Sequence, residues 1–265
     1  MIGCIIQART GSSRLPGKVL MKLDKNYTVL DYVTKQLSFC KLIDKIIIAT
    51  TNLEQDDIIE QAAKKLQIEC FRGDSDDVLD RYYRCAKKFG IDDVLRITSD
   101  CPLIDPEIVD RVIEKYLTRE YDYVSNTLIR TFPDGTDAEI FSFNVLEKAW
   151  KNATLSSEKE HVTLYIINKK VGYRLGNLEN DEKVGRLRWT LDRIEDFELI
   201  KKIIERIDKR PILMKDVLDL LSNEPELIKI NAHIPANEGM LKSLTEDEKK
   251  GLGKSGNFFK KYMNS

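Results

Sequence analysis

Three cations within ten residues, Arg9, Arg14 and Lys18, follow an apolar run, Ile2 to Ile6. They share their loop with Gly11, Ser12, Ser13, Pro16 and Gly17. Glycine lets backbone N–H groups turn toward an anion, and arginine and lysine neutralise it. Open α/β sheets bind ligands at the carboxyl ends of their strands, where this loop would sit. The chemistry indicated is the holding of a phosphate chain. The loop has neither the GxxxxGK[ST] spacing of a Walker-type phosphate loop nor the G-x-G-x-x-G of a dinucleotide fingerprint. The plainer alternative is a solvated turn whose basic residues are idle.

A second constellation runs from Leu95 to Asp105, where a strand ends in Ser99 and Asp100 and Pro102 stops it. Asp100 is expected at the same carboxyl edge as the basic loop. A carboxylate beside a phosphate chain repels it unless a cation lies between them. Mg²⁺ is held by one or two carboxylates plus phosphate oxygens, so Asp100 is a candidate ligand. Asp105 reads instead as the cap of the next helix. Asp192, within Arg188 to Phe197, is by itself a helix-cap candidate, and Asp196 suits the N-terminal end of that helix. Pro133-Asp134-Gly135 marks a turn. Asp137 and Glu139 alternate with Ala138 and Ile140 and so share one strand face, while Glu158, Glu160 and His161 open a helix.

These residues need a frame. Strands are predicted at Ile2–Ala8, Lys45–Thr50, Ile68–Phe71 and Val94–Ser99. Helices are predicted between them at Val29–Phe39 (capped by Thr28), Gln55–Leu66, Asp76–Phe89 (capped by Ser75) and Glu107–Leu117, with Pro106 in the first turn of the last. Repeated βα units with apolar strands imply a mainly parallel sheet covered on both faces. After about residue 120 the pattern changes. Asp122–Asn126, Ala138–Phe141, Tyr173–Leu178 and Arg186–Leu191 read as strands. Asn144–Trp150, Lys159–Asn168, Ile194–Ile207 and Met214–Leu221 read as helices.

Lys+Arg (43) and Asp+Glu (44) nearly cancel, which gives no reason to expect binding to nucleic acid or an anionic membrane. Any anion site must be local. Five scattered cysteines without a CxxC suggest reduced thiols in a cytoplasmic protein. The two histidines stand alone, against a zinc site. No run reaches the eighteen or so apolar residues of a membrane span. Residues 231–265 read as a loosely packed tail, and its GLGKSG at 251–256 follows no strand.

The run Ile6-Gln7-Ala8-Arg9-Thr10-Gly11-Ser12-Ser13-Arg14-Leu15-Pro16-Gly17-Lys18-Val19-Leu20 resembles the opening signature of the cytidylyltransferases that activate acidic sugars. Within them it is similar to the branch named after the spore coat polysaccharide protein SpsF. The resemblance implies a Rossmann-like, three-layer nucleotidyltransferase fold with a mainly parallel sheet and a mixed-sheet second half. It would occupy residues 1–230, with a nucleotide-binding part of about 1–120 and a sugar-binding part of about 121–230. It implies transfer of a cytidylyl group from CTP to a sugar for polysaccharide or glycan synthesis, with Mg²⁺, release of pyrophosphate and a possible homodimer. Ala8, Arg9, Gly11, Ser12, Arg14 and Lys18 would then bind nucleotide, together with Arg81 and Ser99. Arg9, Arg14 and Lys18 would be catalytic, and Asp192 would join Asp100 at the metal.

The sugar would meet Asn126, Asp137, Glu139, Glu160 and His161, the last two within a Glu-His-Val-Thr run. Arg130, Arg174, Arg186 and Arg188 could pair with an anionic sugar. Two rivals remain at this point. A glycosyltransferase of similar fold would use an Asp-x-Asp metal motif, a spacing met by Asp74-Ser75-Asp76. A non-catalytic subunit would bind CTP without releasing pyrophosphate.

Overall fold

In the computed structural model, which describes residues 1–168, 171–236 and 238–249, the first apolar run becomes the central strand. β1 (Ile2–Gln7) has five buried residues of six. α1 (Val29–Leu37) begins at Thr28, whose side chain forms a capping box with Asp31. β2 (Lys45–Thr51), α2 (Asp57–Leu66), β3 (Glu69–Gly73), α3 (Val78–Phe89), β4 (Asp93–Thr98) and α4 (Pro106–Leu117) complete the repeated βα pattern. Asp105 caps α4, accepting from the Glu107 amide at 2.8 Å.

The second half contains β5 (Tyr123–Ser125), β6 (Glu139–Ser142), α5 (Phe143–Asn152), α6 (Ser156–His161), α7 (Leu164–Ile167), β7 (Leu175–Asn177), α8 (Ile194–Arg206), α9 (Met214–Asn223) and α10 (Glu238–Lys249). The seven strands form one sheet in the order β3-β2-β1-β4-β6-β5-β7. β3, β2, β1 and β4 run parallel, and β6 is antiparallel to both of its neighbours.

Alternation along β1 serves two layers. Cys4 and Ile6 pack with Leu30, Val33, Ile59, Val109 and Val112 of α1, α2 and α4 on one face. Ile5 packs with Leu79 and Tyr82 of α3 and Val145 and Leu146 of α5 on the other. A third apolar cluster joins Trp189, Leu199, Ile203, Val217 and Leu221 to Val29 and Tyr32. Among the described residues no helix is long and apolar enough to cross a membrane.

Register places the chemistry. Gln7 of β1 lies opposite Thr98 of β4, so the loops that begin at Ala8 and Ser99 emerge side by side. The Ser99 amide donates to the Gln7 carbonyl at 3.2 Å.

Several boundaries differ from expectation, each for a local reason. Asp77, not Ser75, caps α3, accepting from the Asp80 amide at 2.8 Å. The expected helix over Lys159–Asn168 breaks at Val162, whose φ of 59° no helix tolerates, and becomes α6 and α7. Arg186–Leu191 alternates like a strand but makes a single bridge, Arg188 to Asp134. Its apolar side chains, Leu187, Trp189 and Leu191, turn into the third cluster beside α8 instead. The expected loose tail is a helix over Glu238–Lys249, with Leu244 packed on Leu164. The GLGKSG segment lies outside the described residues.

The Pro-Asp-Gly turn supports that bridged segment. The Asp134 amide donates to Leu187 O at 2.9 Å, and the Trp189 amide donates to Asp134 O at 2.6 Å. Gly135 has a φ of +107°, and a Cβ placed there would meet the Trp189 carbonyl carbon at 2.5 Å. Gly135→Ala should therefore cost about 2 kcal/mol or more in stability, from backbone strain and displaced backbone together. A thermal unfolding midpoint equal to wild type would refute this account of the turn.

Candidate active site

A cavity of about 350 Å³ opens at the carboxyl ends of β1 and β4. Ala8, Arg9, Ser12, Arg14, Lys18, Arg81, Ser99, Asp100, Glu160, His161 and Asp192 all line it. Gly11 lies in the same loop but off the wall, against the Gln55 side chain. A residue that sequence reasoning missed ties the loop down: buried Asp56 accepts from the Thr10 amide at 2.7 Å and the Thr10 hydroxyl at 2.6 Å. Gly17, with φ 70°, then turns the chain into a short 3-10 helix, Lys18–Leu20, that carries Lys18 inward.

The Lys18 ammonium is buried, and its Nζ donates to Asp100 Oδ2 at 2.7 Å, Leu191 O at 2.7 Å and Asp192 Oδ1 at 2.8 Å. Burial pushes both carboxyls upward, but the Lys18 charge and its hydrogen bonds outweigh it and hold Asp100 and Asp192 below the ordinary carboxylate range. Burial works against the Lys18 charge, yet the two carboxylates raise it above its ordinary value. Arg14 Nη2 adds a bond to Asp192 Oδ1 at 2.5 Å. The Leu191 amide donates to the Asp100 carbonyl at 2.8 Å, so backbone pairing also keeps the two segments together.

Behind Asp192 lies an interior network. Arg188 Nη2 reaches Asp192 Oδ2 at 3.1 Å, its Nε reaches Asp196 Oδ1 at 3.0 Å, and its Nη1 reaches Asp134 Oδ2 at 3.1 Å. Asp196 is fully buried and accepts from the amides of Asp192 at 2.9 Å and Arg193 at 3.0 Å and from Asn231 Nδ2 at 2.9 Å. It is thus a capping and supporting group, while Asp192 faces the cavity.

Of the expected sugar contacts, Asn126, Asp137 and Glu139 are absent from the cavity wall. Asn126 is buried and spans the Thr136 carbonyl at 2.8 Å and the Ala138 amide at 2.9 Å. Asp137 receives both Arg130 Nη groups at 2.8 Å. Glu139 is buried against Arg96 and accepts from the Tyr123 hydroxyl at 2.6 Å and the Thr163 hydroxyl at 2.7 Å. Arg174 pairs with Asp122 and Arg188 with three aspartates, and Arg186 also lies away from this cavity. Asp74 is spent on a turn, accepting from the Asp76 and Asp77 amides at 2.8 and 2.9 Å.

Three wall residues were not assigned to the site from the sequence because they sit within strands: Gln7, Arg96 and Thr98. Gln7 Oε1, Arg96 Nε, and Arg81 Nε and Nη1 are buried without a hydrogen-bond partner among the described residues. Arg81 is only 1% exposed, and burial lowers its pKa below the usual value. Buried polar groups in native proteins are almost always satisfied, which sets these residues of the cavity wall apart.

His161 and Glu160 are joined by a residue of α10. Ser243 Oγ donates to Glu160 Oε2 at 2.6 Å and lies 3.0 Å from His161 Nε2. A hydroxyl has one proton, and both its alternative partners, Glu160 and the Gly239 carbonyl, only accept. His161 Nε2 must therefore be the donor, which leaves Nδ1 as a bare acceptor. Gly239, Lys242 and Glu246 of α10 also line the cavity. Asp247 receives the Ser157 amide at 3.2 Å, and Glu238 pairs with Arg193 at 3.0 Å, so α10 is anchored to both α6 and the start of α8.

Comparison with known proteins places this geometry in a context. The sequence model of a family described as cytidylyltransferase matches residues 3–225. An uncharacterized protein of Methanocaldococcus jannaschii is 38% identical over 87% of this chain and 94% of its own length. The spore coat polysaccharide biosynthesis protein SpsF of Bacillus subtilis is 36% identical over 84% of this chain and 94% of its own. A 3-deoxy-manno-octulosonate cytidylyltransferase of Pelobacter propionicus is 32% identical over 71% and 84%. The solved structure of a cytidylyltransferase from Leptospira borgpetersenii superimposes with a TM-score of 0.82 at 33% identity, covering 86% of this chain and 96% of that one. The matched family region ends before α10 begins.

His161 gives this site a pH signature. Burial, opposed by Glu160 and reinforced by Arg96, pushes its pKa down to about 4. The unfolded imidazole takes up a proton near pH 6.5 and the folded one only near 4, so its contribution is full above 6.5 and is lost as pH falls toward 4. The amount is on the order of 3 kcal/mol. His161→Gln keeps an N–H donor for Ser243 and removes the titration. Its melting temperature should fall less than that of wild type between pH 7 and pH 4.5. Parallel curves for the two proteins would show that His161 does not titrate in this way.

Proposed function

The chain belongs to the cytidylyltransferase family and is a nucleotidyltransferase, and we propose that it transfers a cytidylyl group from CTP to an oxygen of an acidic sugar, releasing pyrophosphate, with Mg²⁺. The carrying observation is the convergence of Lys18, Asp100 and Asp192 at one point beside Arg9 and Arg14. The acidic sugar is favoured by the octulosonate enzyme among the relatives, and polysaccharide synthesis by SpsF.

Arg9, Arg14 and Lys18 hold the triphosphate. Arg81, buried with unused donors, and Ser99 meet the nucleoside side. The acceptor oxygen attacks the α-phosphorus in line, a hydroxyl acceptor giving up its proton to solvent water. The bond to the bridging oxygen of the β-phosphate breaks, and the cations neutralise the departing pyrophosphate. Catalysis of this kind is mostly positioning and preorganised charge.

The site's donors suit a divalent ion. Two carboxylates already converge on a single cation, and Mg²⁺ takes one or two carboxylates, leaving its other positions to phosphate oxygens and water. Asp100 and Asp192 would hold it, and its charge would polarise the α-phosphate. On the acceptor side, His161 Nδ1 and Glu160 accept hydrogen bonds from sugar hydroxyls, and Lys242 supplies the nearby positive charge.

The test is pyrophosphate release with each nucleoside triphosphate, across a panel of acidic sugars and sugar phosphates, with mass spectrometry of the product. CTP with an acidic sugar should give a CMP-sugar, whereas a sugar phosphate acceptor would give a CDP-sugar. No CTP-dependent product from any acceptor would remove the proposal. In the productive assay, Lys18→Ala should lower turnover by about 10²-fold or more, the scale of preorganised charge, and Lys18→Arg should recover only part of it. Wild-type rates in Lys18→Ala would remove Lys18 from the phosphate site.

A further inference from the structure

Lys18 sits where a cation of a different kind is needed. An ammonium has three N–H donors and no acceptor. All three are used here, on Asp100 Oδ2, Asp192 Oδ1 and the Leu191 carbonyl, at 2.7 to 2.8 Å. Two of those oxygens belong to the carboxylates assigned above to the divalent ion. Nothing in this arrangement reaches toward a phosphate.

The two carboxylates do not depend on Lys18 equally. Asp192 keeps Arg14 on one oxygen and Arg188 on the other. Asp100 has no other ion-pair partner among the described residues. If Lys18 moves, Asp100 is left as an uncompensated carboxylate in a cleft, beside a second carboxylate that repels it. Backbone pairing between Leu191 and Asp100 keeps the two in place regardless. The space vacated is thus a preformed seat for a compact cation, with Asp100 as its principal anion.

We propose that Lys18 reserves the divalent-cation seat: in the nucleotide-free enzyme its ammonium occupies the position between Asp100 and Asp192 and excludes the metal. This rests on the assignment of those two carboxylates to the metal. The triphosphate is what frees the seat. Its oxygens offer Lys18 a competing set of acceptors, and the flexible four-carbon stem allows the ammonium to leave without movement of the loop. The order of events follows: nucleotide first draws Lys18 off, and the metal arrives with it or after it. An enzyme built in this way holds no free divalent ion in its open cleft.

The measurement is Mn²⁺ binding to the full chain without nucleotide or acceptor, read from the free-ion signal in electron paramagnetic resonance. Lys18→Met preserves the stem and removes the charge, and Lys18→Ala guards against a packing artefact of the longer side chain. Both should bind Mn²⁺ at least tenfold more tightly than wild type. Adding Asp100→Asn to Lys18→Met should abolish the gain. Equal affinities in wild type and both single variants overturn the proposal. A gain that survives Asp100→Asn overturns it too, because the ion then sits elsewhere. Failure of the cytidylyl-transfer reading would show separately, in the CTP assay, which this measurement does not use.

Discussion

One ammonium closes this molecule. Lys18 comes from the first loop, Asp100 from just past β4 and Asp192 from just before α8, and their side chains meet within hydrogen-bond distance. Each charge is taken out of water only because the others are there; a buried ion pair is costly to break, since it leaves an uncompensated charge behind. The rest of the fold is arranged to bring these three points together. β1 and β4 must be adjacent and parallel for the first two, and the segment before α8 must return to the sheet's carboxyl edge for the third.

That return is the harder task, because no strand of the sheet carries Asp192. A layer of polar groups does the work instead. Arg188 ties Asp192 to Asp196 and Asp134, and Asn231 closes the network by bonding both Asp196 and the Arg188 carbonyl. The Pro-Asp-Gly turn then pins the Arg188 segment by backbone pairing. A fully satisfied polar network of this kind is rigid, whereas a partly satisfied one is not. Among the described residues, four of the seven buried side-chain atoms without a hydrogen-bond partner belong to the cavity-lining residues Gln7, Arg81 and Arg96.

Much of this was legible in the sequence, and what was not follows a rule of distance. Thr28, Asp105 and Pro106 announced helix starts because capping is settled within four residues. The basic loop and Asp100 were legible because each follows an apolar strand. Arg186–Leu191 misled because alternation records burial on one side without saying what covers it. Asn126, Asp137 and Glu139 looked like ligand contacts for the same reason: their partners, the Thr136–Ala138 backbone, Arg130 and Arg96, are known only from the folded chain. Arg96 went unread because a charge inside a strand gives no sign of which way it faces. α10 went unread because two apolar side chains, Leu241 and Leu244, carry little periodicity, and its anchors are polar: Ser243, Asp247 and Glu238.

α10 brings to the cavity a wall that lies outside the matched family region. The matched family region supplies the basic loop, both carboxylates and the glutamate–histidine pair, while the wall from Gly239 to Glu246 comes from beyond it. A substitution at Lys242 or Glu246 can therefore change the charge of the cavity wall without touching the basic loop or either carboxylate.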